Sequence, residues 1–212
     1  MANVTSLRSP DASRDRIHAE ALRLFGRFGF EGTSLQMIAD AAGLHKSTLF
    51  HHYRNKLELA LEVFEATLER IVTELGPLER TPSRIEDLLT CIDALTDWLT
   101  EEPDAARLLM SFITAPDESA LVVPQSAKAS ELELRLFGTL FGWFERARRA
   151  GVVRQLNVRQ AVVNLIGLVL FYPAVATTLG GGDVAGAEPF SAKAVKIRKA
   201  ELRALIDGML AP

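Results

Sequence analysis

Between Asp40 and Glu58 the chain has no acidic residue, yet the same stretch holds His45, Lys46, Ser47, Thr48, His51, His52 and Lys56. Short or cationic hydrogen-bonding side chains suit phosphate oxygens and base edges. A helix face that is merely solvated would more often carry Glu. Metal chemistry fits the histidines poorly. His51 and His52 are adjacent and point to different sides of a helix, His45 is seven residues from His52, and no acid or cysteine is near in sequence, so the usual zinc-ligand spacings are not met. Catalysis fits no better. All four histidines (His18, His45, His51 and His52) fall in the first 56 residues, which removes a Ser-His-acid triad from the remainder. Gly180, Gly181 and Gly182 lack the Lys-Ser/Thr that would make them a phosphate loop. The expectation is a protein that binds nucleic acid, without enzyme activity, metal or cofactor.

Those side chains need an element to present them, and residues 33–56 supply one. Thr33 followed by Gln36 reads as a capping box at a helix start. Leu35, Ile38, Ala39 and Ala42 recur at helical spacing, and Gly43 stands where the helix must stop. Leu44, Leu49 and Tyr53 continue the apolar face on a second helix of under three turns. Two short helices about a glycine turn make a helix-turn-helix, whose second helix enters the DNA major groove while the first crosses the backbone. A further helix opens at Asn55, with Glu58 at its third position, and runs to Gly76-Pro77. At 1.5 Å per residue it is about 30 Å long, a strut between head and body. Before the motif, Ile17, Ala21, Leu24, Phe25 and Phe28 trace one helical face from about Ser13, ended by Gly29.

The string FGFEGTSLQMIADAAGLHKSTLFHHYRNKLEL resembles the N-terminal domain of the TetR family of transcriptional regulators. The resemblance rests on the aromatic-Gly pair before Thr33, the Ile-Ala…Ala-Gly turn, the Leu-aromatic-x-His-aromatic core and the Asn-Lys that opens the next helix, and it is close over residues 14–60. It implies that Lys46, Ser47 and Thr48 meet bases or phosphates, and that His52 and Lys56 meet phosphates. His45, His51 and Thr33 are further candidate contacts. Phe50 departs from the family's usual Tyr and lacks its phosphate-bonding hydroxyl, although it can still touch a thymine methyl. Tyr53 replaces the usual Phe and is read as core.

The net charge of −3 looks wrong for a DNA binder until it is divided. Residues 1–56 hold eight Lys and Arg against five Asp and Glu, and the rest hold sixteen against twenty-two. A basic head on an acidic body matches a DNA-binding domain joined to something that does not bind DNA. A single cysteine, Cys91, excludes an intramolecular disulfide and suits a reducing cytoplasm. The charged N-terminus has no apolar run and does not read as a signal peptide.

The body reads as helical throughout: Ile85 to Leu99, Asp104 to Thr114, Ser126 to Ala150, Val158 to Leu179 and Ser191 to Leu210, with loops at 115–125 and from Gly180 through Pro189. The fourth of these is apolar nearly all round. Asn164 and Pro173 interrupt it, and no second such span exists, so a buried helix is expected in place of a membrane span. A body this size buries only one of its faces, which leaves the other for a second chain. The resemblance implies the same homodimer through the last two helices. The family's effector site, carried over as a small-molecule pocket among the middle helices, draws on Trp98, Met110, Phe112, Phe141, Trp143, Phe144 and Tyr172, with Arg107 and Asp97 as polar anchors and an apolar or aromatic ligand.

The sequence therefore predicts an all-α chain: a flexible arm over 1–12, a helix-turn-helix domain over 13–54, and an effector-binding and dimerisation domain over 55–212. Its expected function is that of a cytoplasmic homodimeric repressor released from a palindromic double-stranded DNA operator by a small effector. The alternative is a dimeric helical adaptor for other proteins whose DNA-binding head no longer works.

Overall fold

The computed structural model describes residues 10–80, 83–113, 126–176 and 188–212. These form nine α-helices and no strand. The first is α1, Pro10–Gly32, so helix begins three residues inside the span expected to be an arm. The rest of that arm, and most of the two loops expected at 115–125 and 180–189, lie outside the described residues. The helical path of α1 breaks at Gly29, whose φ of 71° is open to glycine at little cost. Phe28, expected inward, is about half exposed just before the break.

Helices α2 (Leu35–Ala41) and α3 (Lys46–His52) follow, with Gly43 at φ 65° between them. The start of α2 corrects the expected capping box. Ser34, not Thr33, caps the helix by accepting from the Met37 N–H at 3.2 Å, and Gln36 donates forward to Asp40. Thr33 is only 2% exposed, and its hydroxyl lies 2.8 Å from the Gly29 carbonyl and 3.1 Å from that of Leu24. It closes the broken end of α1.

Helix α4 (Lys56–Glu74) is capped as expected. Asn55 accepts from the Glu58 N–H at 2.9 Å, and the Glu58 carboxylate accepts from the Arg54 N–H at 2.8 Å. A 3₁₀ turn over Gly76–Glu79 leads to α5 (Ile85–Glu101) and α6 (Pro103–Ile113). Then come α7 (Ala127–Arg149), α8 (Val158–Val175) and α9 (Ala192–Leu210).

Two apolar cores divide the chain. The smaller gathers Ile17, Phe25, Ile38, Leu49 and Tyr53 with Leu59, Ala60 and Val63 of α4. The larger runs from Phe64 of α4 through α5 to α9. Successive residues of one helix, Val63 and Phe64, thus belong to different cores. Helix α6 also straddles the divide, with Leu108 in the smaller core and Leu109 in the larger. At the outer edge of the head, Arg14 and His18 of α1 meet the Glu62 carboxylate of α4 at 2.5 and 2.9 Å. The Tyr53 hydroxyl is buried beside this cluster, and burial first, then the Glu62 charge, pushes its pKa up.

Helix α8 is long and apolar enough to cross a membrane by length and composition. In this fold its Ala161, Val162, Leu165, Val169 and Leu170 are packed into the larger core.

Candidate DNA-binding surface and effector cavity

Burial of Leu49 at the centre of α3 fixes which side of that short helix faces out. His45, Lys46, Ser47, Phe50 and His51 are exposed, and Thr48 and His52 are half-buried beside them. The Lys46 ammonium stands 5.6 Å from the Phe50 ring centroid. His45 is the N-cap of α3 by backbone position but makes no side-chain capping bond. The candidate contacts from His45 to His52 therefore lie together on or beside one outward face. Thr33 does not join them, because its hydroxyl is turned inward onto two carbonyls.

Lys56 is placed differently from the simple expectation. Its ammonium donates to the Phe30 carbonyl at 2.8 Å and sits 4.1 Å from the Phe30 ring centroid. One of its three donors thus ties the start of α4 to the segment after the break in α1. The contact spans 26 residues of sequence, which no local pattern reveals.

A cavity of about 460 Å³ opens within the larger core. Phe64, Leu68 and Ile71 of α4 form one wall, and Leu88, Ile92, Leu95, Trp98 and Leu99 of α5 form another. Leu109 and Phe112 of α6, Leu136, Phe137 and Leu140 of α7, and Leu165 and Val169 of α8 complete the apolar lining. Its volume lies in the range of small-molecule sites. Phe64 and Phe112 meet at 4.2 Å between ring centroids across the α4–α6 contact.

Of the expected pocket residues, Trp98 and Phe112 line this cavity. Trp143 and Phe144 are fully buried and packed edge-to-face at 5.1 Å, so they fill space and border none. Phe141 stacks on Phe137 at 6.2 Å behind the lining. Met110 packs against the core without reaching the cavity wall. Arg107 pairs with Asp104 and donates to the Ala174 carbonyl at 3.2 Å, holding α6 to α8. Tyr172 lies under the Arg198 guanidinium, 4.2 Å from its carbon to the ring centroid. Asp97 pairs with Lys199 of α9 at 2.5 Å. These polar groups join helices and do not face the cavity.

Sequence reading missed the polar members of the lining, Ser130 and Glu133. They share a face of α7 with Phe137 and Leu140, at spacings of three, seven and ten residues. That register was available, but it also describes an ordinary amphipathic helix.

Comparison with known proteins places these features in a group. The family model for bacterial regulatory proteins of the tetR family matches residues 17–63. The HTH-type transcriptional repressor SCO4008 of Streptomyces coelicolor is 26% identical over 181 residues, covering 85% of this chain and 90% of that protein. Other curated relatives, such as the activator FasR of Mycolicibacterium smegmatis and the regulator TcmR of Streptomyces glaucescens, are matched over 52% and 57% of their length. The crystal structure of the TetR-family regulator PfmR from Thermus thermophilus superposes with a TM-score of 0.66 at 25% identity, covering 91% of this chain and 94% of that one. AibR, solved in complex with isovaleryl coenzyme A and operator DNA, shares the fold with a TM-score of 0.68 at 19% identity, over 92% and 97% of the two chains.

Proposed function

Given that the chain belongs to the TetR family of bacterial transcriptional regulators, we propose that it is a homodimeric repressor whose α3 helices read a palindromic operator and whose central cavity takes the effector. Residues 13–54 act as the DNA-binding domain, and residues 55–212 as the effector-binding and dimerisation domain. The observation that carries the reading is the outward, acid-free face of α3, with His45, Lys46, Ser47, Phe50 and His51 exposed. Lys46, Ser47 and Thr48 meet base edges and nearby phosphates, while His51, His52 and the remaining donors of Lys56 meet the phosphate backbone. Phe50 presents an apolar edge to a thymine methyl.

The dimer forms through α8 and α9. Val163 and Phe171 of α8 are 57% and 55% exposed with Gly167 between them, and Ile197 and Leu205 of α9 are 43% and 55% exposed. Two such stripes at helical spacing suit burial against the same pair of helices in a second copy. The two recognition helices then address half-sites roughly 34–36 Å apart or a multiple of that distance.

Control follows from the two helices that serve both cores. Helix α4 contributes Val63 to the head and Phe64, Leu68 and Ile71 to the cavity, and α6 contributes Leu108 to the head and Leu109 and Phe112 to the cavity. A ligand that packs better against one arrangement of α4 and α6 favours the head position that goes with it. The shift is no larger than the difference in its affinity for the two states. The protein acts in the cytoplasm, where the operator is.

Selection of binding sites from random DNA, followed by gel shifts over a range of salt, tests the reading. The expected result is a palindromic site whose affinity falls steeply with salt. Absence of binding at low ionic strength overturns it.

A further inference from the structure

Resting on the reading of the central cavity as the effector site, we propose that the effector is a lipophilic cation whose charged nitrogen meets Glu133. Among the described residues, Glu133 is the one ionisable side chain in a lining otherwise made of Leu, Ile, Val, Phe and Trp, with Ser130 as its polar neighbour one turn away on α7. Several acidic residues elsewhere on the body helices are paired, among them Glu65 and Glu69 with Lys128, Glu79 with Arg135, Asp93 with Arg203, and Asp97 with Lys199; what sets Glu133 apart is its place in an apolar lining. Among the described residues, Glu133 has no ion pair and no hydrogen bond, and no Lys, Arg or His lines the cavity. Burial alone raises its carboxyl above the usual range, the mark of a carboxylate without a compensating charge.

A ligand has three ways to deal with such a group. An anionic ligand, such as a fatty acid, would put a second negative charge against it in an apolar setting and bind poorly. A neutral chain would fill the apolar walls and leave the carboxylate as it is. An ammonium group would supply the missing counter-charge at a carboxylate partly screened from water, where such pairing counts for more than at a fully exposed surface. The aromatic rings support the same choice. Trp98, Phe112 and Phe137 line the same space, and ring faces attract alkylated ammonium groups. The rest of the ligand is an aliphatic or aromatic body lying among the leucines and isoleucines of α4, α5 and α8.

Three probes of equal chain length separate the possibilities: decyltrimethylammonium, decanol and decanoate, each below its micelle concentration. Trp98 in the cavity wall provides a fluorescence readout, and calorimetry gives the affinities. The expected order is ammonium tightest and decanoate weakest. Glu133→Gln, checked by circular dichroism for intact helix, should cost the ammonium probe about tenfold or more while leaving decanol within about twofold. A cavity-filling Ile92→Trp variant should reduce all three, which separates cavity binding from detergent adsorption. If decanoate or decanol binds as well as the ammonium, or if Glu133→Gln leaves the order unchanged, the cation assignment is wrong while the cavity reading stands. If none of the probes binds in a way that Ile92→Trp abolishes, both fail.

Discussion

A side-chain carbon at Gly26 would lie 2.6 Å from the carbonyl oxygen of Asp104. No Cβ tolerates that approach, so α1 of the head and the start of α6 in the body touch backbone to backbone. Because α6 also places Leu108 in the head core and Phe112 in the cavity wall, this contact holds α1 against a helix that serves both. Gly26→Val should push the helices apart, lower stability by about 1–3 kcal/mol and weaken the ligand's effect on DNA binding more than DNA binding itself. Denaturant unfolding and operator titrations with and without ligand measure the three quantities. A variant as stable and as responsive as the parent would show that the contact plays no part.

The outward face of α3, the candidate DNA-binding surface, was largely legible in the sequence because its signals are local. The positive φ of Gly43, the Asn55 cap and the burial of Leu49 all follow from residue types a few positions apart. The one-residue error at Ser34 arose because two adjacent hydroxyl residues both suit a cap, and only the broken end of α1 decides that Thr33 turns inward. The cavity was far less legible. Trp98, Phe112, Trp143 and Phe144 look alike in sequence, and whether such a ring fills space or borders it depends on how helices from five parts of the chain fail to close on one another.

Lys46 and Lys56 should separate base reading from backbone contact. Lys46 is exposed on α3 with its ammonium beside the Phe50 ring, so Lys46→Ala should cost about 1–3 kcal/mol of discrimination between operator and random DNA with little change in stability. Lys56→Ala should weaken both DNAs and lower the salt slope by about one. It should also destabilise the head slightly, since it removes the contact with Phe30. Equal losses on operator and random DNA for Lys46→Ala would count against base contact.

Pro173 and Arg198 form a compensating pair. Pro173 has no N–H for the Val169 carbonyl one turn back in α8, and Arg198 of α9 donates to the Leu168 and Val169 carbonyls at 3.0 and 3.4 Å. Burial pulls the Arg198 pKa down, so its charge is held at a cost. Arg198→Met should therefore destabilise strongly in the parent and less in a Pro173→Ala background, where the backbone N–H returns. A coupling of about 1 kcal/mol in the double-mutant cycle is expected, and strict additivity would refute the pairing.

Cys91 should behave as a packing residue. It is almost fully buried on α5, and desolvation, with Asp87 and Glu74 nearby, pushes its thiol up to about 11. A raised thiol pKa means less thiolate, so at pH 8 the native protein should react with iodoacetamide far more slowly than a free thiol, and at the free-thiol rate once unfolded. Fast labelling of the native chain would place the thiol at the surface or reveal frequent local opening of α5.

The exposed stripes of α8 and α9 make a separable prediction about assembly. Phe171 and Leu205 are outward on two helices whose inner faces belong to the larger core, so Phe171→Glu with Leu205→Glu should leave that core intact. In the proposed dimer four like charges would then face one another across the two-fold axis, and the assembly should dissociate, which sedimentation velocity measures directly. The head keeps its own core of Ile17, Phe25, Ile38 and Leu49, so each monomer retains a folded α3. Operator affinity should nevertheless fall by orders of magnitude, because one half-site at a time forfeits the effective concentration that links the two heads. Random-DNA binding per head should change little. A variant that stays dimeric would move the interface elsewhere on the body, and one that becomes monomeric yet binds the operator unchanged would dispense with the two-half-site arrangement.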